Sequence, residues 1–255
     1  MHMKHIVLTR FSLFHGVKWP DNSPMWSAMD ILPQDLSDTE KKMDAYLKYL
    51  YSEERLAYKW KALKNLTIPW TLKAMDKVSD AEWWIYVSPP DVMPNHVLEK
   101  LKDITWFDPR IKLVEIDIQN RNLGAAIKSR IKKEVPEGMR YCTLRLDDDD
   151  AFHENLMADI ETVAQAHEHP FVYCSQWGAK CRIDEEGVLE IGDLWKHWSQ
   201  HAIGLAAVDE NIFSLGNHGN IAQKFPDMEI IHDQVRKVGF LLNCEERFTA
   251  SRRTF

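Results

Sequence analysis

The chain has no run approaching the ~20 consecutive apolar residues that cross a bilayer, so it reads as a soluble protein whose membrane contact, if any, is peripheral. Its opening residues do not read as a secretory signal. "MHMKHIVLTRF" enters an apolar run with neither an h-region nor a small-residue cleavage site. Cysteine is scarce: Cys142, Cys174, Cys181 and Cys244 form no C-x-x-C pair and no zinc spacing, as expected of reduced thiols in a cytoplasmic protein. Nor is there a basic excess. A net charge of −7 and a pI near 5.9 argue against a nucleic-acid partner, and any anionic ligand must be held locally. Internal repeats, low-complexity tracts and linkers are missing too, which leaves little ground for dividing the chain.

What is present is enough apolar residue, 45% of 255, for one large core, so residues 1–255 read as a single domain. Strand and helix patterns alternate. "HIVLTRF" (His5 to Phe11) reads as a strand, and a loop carrying Pro20, Pro24 and Pro33 follows. "SDTE" (Ser37 to Glu40) is a capping-box pattern. Behind it Met43, Tyr46, Leu50, Ala57, Trp60 and Leu63 recur at helical spacing, with a register slip near Ser52. Glu82 to Ser88 and Arg110 to Ile118 read as strands, Val97 to Leu101 and Ala125 to Glu134 as helices, and Tyr141 to Leu146 as a fourth strand. That alternation predicts right-handed crossovers and a mostly parallel sheet covered on both faces, with ligands at the carboxyl ends of its strands. Further on, "FVYCSQWGAKCRIDEEGVLEIGDLW" predicts a β-hairpin turning at Asp184 to Gly187, with Trp177, Trp195 and Trp198 in or beside it.

The fourth strand runs into Asp147, Asp148, Asp149 and Asp150. Adjacent carboxylates disfavour one another's ionised form unless a cation or hydrogen-bond donors compensate. One aspartate suffices for a cap, and Asp150 suits that part, since Phe152, Leu156, Ile160 and Val163 follow at helical spacing. Alternation along the strand would place Arg145, Asp147 and Asp149 on one side, where two carboxylates reach one ion.

With these residues in place, "QNRNLGAAIKSRIKKEVPEGMRYCTLRLDDDDAF" resembles a signature of glycosyltransferases with the A-type fold, in which an N-x-G-x-A-like helix start leads to a strand ending in Asp-x-Asp. Together with "VLTRFSL" and "WWIYV", the "RLDDDDAF" run is similar to the rhamnosyltransferase family, over about the first two thirds of the chain. The resemblance implies a Rossmann-like α/β architecture. Its mostly parallel central sheet is flanked by helices, a nucleotide-sugar-binding part falls at about 1–150, and an acceptor part at about 151–255 carries the hairpin. The activity implied is transfer of a sugar, rhamnose by the family's name, from a dTDP- or UDP-linked donor to a glycan or other hydroxyl acceptor, with inversion. This chain fills the x position with Asp148, which leaves open which two carboxylates face the ion.

The implied cofactor is Mn²⁺ or Mg²⁺, because a divalent ion neutralises charge on the departing diphosphate and takes one or two carboxylates besides phosphate oxygens and water. Asp149 is the first choice of ligand, with Asp147 contacting the ion through water or holding the donor's ribose. His232 in "MEIIHDQ" matches a histidine that many such enzymes bring to the metal, and His218 competes with it. Thr9, Arg10 and Phe11 would line the nucleotide base; Arg10, Arg121 and Arg130 would offset phosphates, and Asp148 counts among the donor-binding residues. Arg145 would instead pair with the aspartates. A general base for inversion is expected after the hairpin, from Glu210, Asp209 or Asp193.

Two other readings compete. An Asp-nucleophile, Mg²⁺-dependent phosphatase wants its motif on an early strand followed by Thr or Val, whereas here it follows the fourth and precedes Ala151. A carbohydrate-binding protein without turnover would use its ten tryptophans as sugar platforms. A nucleotidyltransferase would need a glycine-rich loop after the first strand, which "TRFSLFHG" does not provide.

Overall fold

The computed structural model describes residues 2–12, 39–116, 123–184, 186–187, 189–196, 204–215, 227–233 and 239–243. In chain order they form β1 (Met3–Arg10), α1 (Thr39–Leu50), α2 (Glu53–Ala62), a π-helical turn (Leu63–Thr67), α3 (Ile68–Met75), β2 (Ala81–Val87) and α4 (Asn95–Thr105). Then come β3 (Ile111–Glu115), α5 (Leu123–Glu134), β4 (Arg140–Asp147), β5 (Ala151–Phe152), α6 (Leu156–Gln165), β6 (Phe171–Cys174) and β7 (Trp177–Ile183). The chain continues with β8 (Leu189–Lys196), β9 (Leu205–Val208), a 3₁₀ turn (Ile212–Leu215), β10 (Glu229–His232) and β11 (Phe240–Asn243). No helix among the described residues is long and apolar enough to cross a membrane.

A seven-stranded sheet of order β10-β6-β9-β4-β1-β2-β3 forms the centre. β4, β1, β2 and β3 are parallel, as the alternation of strand and helix predicts. β1 is buried along nearly its whole length because both sheet faces are covered, the usual reason a parallel strand reads as an unbroken apolar run. On one face Val7, Trp83 and Leu144 pack with Leu56, Trp60 and Leu63 of the α2 segment and with α4 and α6. On the other, Ile6, Leu8, Trp84 and Tyr86 pack with Leu123, Ile127 and Ile131 of α5. The strand order therefore reverses between β1 and β4, with connections leaving to opposite faces. A crevice opens outside the carboxyl ends of strands at such a reversal.

The register slip near Ser52 is real, since α1 and α2 meet there. From α2 the helix runs on to Met75, widening to a π turn in which the Ile68 N–H reaches the Leu63 carbonyl. Pro69, near the start of α3, has no N–H to give the helix ladder, and the widened turn precedes it. Cys142, Cys174 and Cys181 are buried free thiols. Ser37, the prolines at 20, 24 and 33, Trp198, Cys244, Arg121 and His218 lie outside the described residues.

Two expectations are corrected. Asp150 caps no helix: Ala151 and Phe152 pair antiparallel with Leu241 and Phe240, and α6 starts only at Leu156 behind Asn155. The run beginning "FVYC" is two strands, since β6 joins the main sheet and β7 a second sheet of order β5-β11-β7-β8. The hairpin itself is present. β7 and β8 are antiparallel around Asp184 to Gly187, whose glycine has φ +88° and donates to the Asp184 carbonyl.

Candidate functional site

Arg10 ends β1 and Asp147 ends β4, and the two are register partners across the parallel pair where the strand order reverses. Arg10, Arg145 and Asp147 lie on the α5 side of the sheet. The guanidinium carbons of Arg10 and Arg145 each stand 5.6 Å from the centroid of the Phe213 ring. Arg145 Nη2 approaches Asp147 Oδ1 at 3.3 Å, as the sequence suggests for that arginine. Burial, with the Arg145 charge beside it, lowers the pKa of Arg10; Asp147 and Asp148 only partly offset this. Two crowded guanidinium groups at a crevice favour an oxyanion between them.

The remaining aspartates turn to the opposite face, where α2 lies. Lys59 Nζ sits 2.6 Å from Asp148 Oδ1 and 2.9 Å from Asp149 Oδ2, all three side chains being buried. Tyr58 also donates to Asp149 Oδ2, at 3.4 Å. Both of these contacts on Asp149 therefore fall on one oxygen, leaving Oδ1 clear of them. Asp148 Oδ2 is buried with no hydrogen-bond partner, and burial raises the pKa of that carboxyl. Thr67 donates to the Asp148 carbonyl, so α2 and the π turn together hold the end of β4. Sequence reasoning missed Lys59. Its signal was available, because Leu56, Lys59, Trp60 and Leu63 share one helical stripe and the lysine occupies an apolar position on it.

The structure scatters the other candidates. Thr9 is fully buried and its Oγ1 accepts the Trp83 indole N–H at 2.9 Å, while Phe11 is stacked on Trp60 at 4.8 Å; both belong to the core and neither lines a crevice. Arg130 lies along α5, over the Trp84 ring at 4.8 Å and paired with Glu134, level with Leu8 and below the strand ends. It borders a cavity of about 290 Å³ that Tyr86, Val114 and Lys133 also line. Asp209 and Glu210 follow β9, which runs antiparallel to β4, so they emerge at the opposite edge of the sheet. Asp209 accepts from Arg140 Nε at 2.7 Å and from the Tyr141 N–H at 3.1 Å, about 20 Å along β4 from Asp147 at the rise of an extended strand. Glu210 accepts the Asn211 N–H, and its carbonyl accepts from Thr143. Only the backbone of Asp193 is described, within β8, the far strand of the second sheet.

His232 ends β10 on the same sheet edge as Asp147, but three strand intervals away, about 14 Å at normal strand spacing. It is exposed, and its Nδ1 lies 3.2 Å from Gln176 Nε2. The expected set of Asp147, Asp149 and His232 is not brought together, and the described residues contain no cluster of three or more ligand-type side chains placed to hold a metal. Asp147, paired with Arg145, and Asp149, paired with Lys59, are turned to opposite faces at the end of β4, so the two carboxylates do not converge on one Mg²⁺ or Mn²⁺ ion in this arrangement.

No curated protein matches the sequence. Among solved structures the chain is similar to the inositol-1-phosphate CTP transferase of T. maritima, at 12% identity and TM-score 0.39, with 91% of this chain and 86% of that one covered. It is also similar to residues 1–349 of S. aureus TarS, alone (10% identity, TM-score 0.41, 96% of this chain and 62% of that one) and in complex with UDP-GlcNAc (11%, 0.41, 96% and 59%). The chain thus spans about three fifths of those TarS fragments. A family model described as "Putative rhamnosyl transferase" matches residues 4–238, nearly the whole length. By that match the chain belongs to the rhamnosyl transferase family, a family of glycosyltransferases.

Proposed function

We propose that the protein transfers a sugar from a nucleoside diphosphate donor, dTDP- or UDP-linked, to a hydroxyl of a glycan or similar acceptor, with rhamnose as the first sugar to test. The observation that carries this is the pairing of Arg10 with Asp147 at the strand-order reversal, with Arg145 sharing the Phe213 ring. In the transfer, the acceptor oxygen bonds to the anomeric carbon as the bond from that carbon to the diphosphate breaks. The diphosphate leaves with the electron pair, and the hydroxyl proton passes to a base. Arg10 and Arg145 meet the phosphate oxygens, and Asp147, held by Arg145, is placed for the donor's ribose. Asp149 and Asp147, turned to opposite faces, do not jointly hold a Mn²⁺ or Mg²⁺ ion in this arrangement, and His232 is too distant to join either of them. Inversion requires a base near the acceptor, and Asp209 and Glu210 are turned away from this edge.

The test is a panel of dTDP-, UDP- and GDP-sugars, scored for donor hydrolysis and for transfer, with and without Mn²⁺. Turnover of one pyrimidine nucleotide sugar, reduced at least tenfold in Arg10→Ala, is the expected result. If no nucleotide sugar is turned over or bound, the assignment fails.

A further inference from the structure

Among the described residues, neither side of the strand end offers a place to the divalent ion that the acidic run leads one to expect. On the α2 side the Lys59 ammonium already bridges the two carboxylates, 2.6 Å from Asp148 Oδ1 and 2.9 Å from Asp149 Oδ2. The three side chains are only 6%, 7% and 8% exposed, which shuts out both a nucleotide phosphate and the water that Mg²⁺ keeps. Asp148 Oδ2 has no hydrogen-bond partner, but it is sealed off with them. On the α5 side the charge has the other sign. Arg10 and Arg145 share that side with one carboxylate, Asp147, and Arg145 engages it at 3.3 Å. Two cations against one anion repel a bare dication and attract a diphosphate. Arg145 Nε is moreover buried without a hydrogen-bond partner, a guanidinium donor still lacking an acceptor.

We propose that this chain departs from the metal dependence its Asp-x-Asp run implies: Arg10 and Arg145 supply the positive charge at the donor diphosphate, and nucleotide binding and sugar transfer proceed without a divalent ion. This rests on the donor-binding reading above. As the bond from the anomeric carbon to the diphosphate breaks, its electron pair passes to a phosphate oxygen facing the two guanidinium groups. The acceptor oxygen bonds to that carbon and gives its proton to a base. Fixed guanidinium groups stabilise charge developing on the departing oxygen, and their planar forks match phosphate oxygens in pairs. Lys59 then has a structural part, neutralising Asp148 and Asp149 inside the joint between α2 and β4.

The experiment measures binding of UDP and dTDP to the full chain by calorimetric titration, in excess EDTA and in excess Mn²⁺ or Mg²⁺, and follows turnover of the accepted nucleotide sugar under the same conditions. For the tighter of the two nucleotides, affinity and turnover in EDTA are expected to stay within threefold of their values with either ion. Arg10→Ala and Arg145→Met should each weaken binding in EDTA at least tenfold, and added Mn²⁺ should not restore it. Two variants are used so that poor folding of one leaves the other, and folding is checked by a cooperative thermal transition. If wild-type binding or turnover falls more than threefold in EDTA, the metal-independent role is overturned and the donor site stands. The same follows if a folded arginine variant loses less than tenfold in EDTA, or if Mn²⁺ restores its binding. If the wild type binds neither nucleotide in EDTA or with either ion, the donor-binding reading falls, and this proposal with it.

Discussion

Arg10 and Arg145 hold their guanidinium groups against the same ring, Phe213, each 5.6 Å from its centroid. Like charges so placed, one depressed in pKa by burial, are eased by a bound anion. Arg10→Ala is therefore expected to weaken UDP binding at least tenfold in calorimetric titration while leaving the thermal midpoint equal or higher. A variant that binds UDP as well as wild type would remove the arginine pair from the site.

Thr9 offers the contrary case. Its hydroxyl accepts the Trp83 indole N–H inside the core, so Thr9→Val should cost about 1–3 kcal/mol in urea unfolding, the penalty for an orphaned buried donor. The KM for donor should not move. A KM rise without loss of stability would return Thr9 to the nucleotide site.

Asp209 holds φ +58° and clamps Arg140 and the Tyr141 N–H at the edge of the sheet away from Asp147. Replacing it with Ala should lower stability by about 2 kcal/mol, since buried hydrogen-bond partners are stranded. Turnover per folded molecule should be retained. Loss of turnover by a factor of a hundred or more, with the fold intact, would mean that the acceptor lies at that edge.

His5 is fully buried in β1, and burial takes its imidazole from 6.5 down to about 4. The unfolded chain thus takes up a proton below pH 6.5 that the folded chain refuses until about pH 4. Stability must fall as the pH drops through that window and level off beneath it, by about 3 kcal/mol for this group alone. Comparing urea unfolding of wild type and His5→Leu at pH 7.5, 5.5 and 4.5 tests this, because the leucine variant should show a shallower decline. Parallel declines in the two proteins would clear His5.

The parallel half of the sheet was legible because its strands carry unbroken apolar runs with helical periodicity between them, and the hairpin because Asp184 to Gly187 offers a turn. β5 was hidden by its length: two residues, Ala151 and Phe152, also fit the helical spacing of Leu156 and Ile160, and only pairing with Phe240 and Leu241 decides the matter. The direction of β9 is likewise a long-range fact. "LAAV" reads the same in either sense, yet its antiparallel course carries Asp209 and Glu210 to the opposite edge from the one expected. Within the acidic run, alternation predicted the face of Arg145 and Asp147 correctly. It failed at Asp149 because the strand ends at Asp147 and the turn hands the next two carboxylates to Lys59, a partner ~90 positions away.

The chain passes between the two sheets again and again: from β4 into β5, back at β6, out at β7, back at β9, and out once more between β10 and β11. Neither sheet is therefore a contiguous piece of sequence, and no cut separates a donor half from an acceptor half. A fragment ending near residue 150 would keep β1 to β4 but lose β9, so the Cys142 to Leu144 edge of β4 would present bare backbone N–H and C=O groups flanked by apolar side chains. Such an edge recruits other strands, and the shortened protein should pass into inclusion bodies rather than yield a smaller donor-binding module.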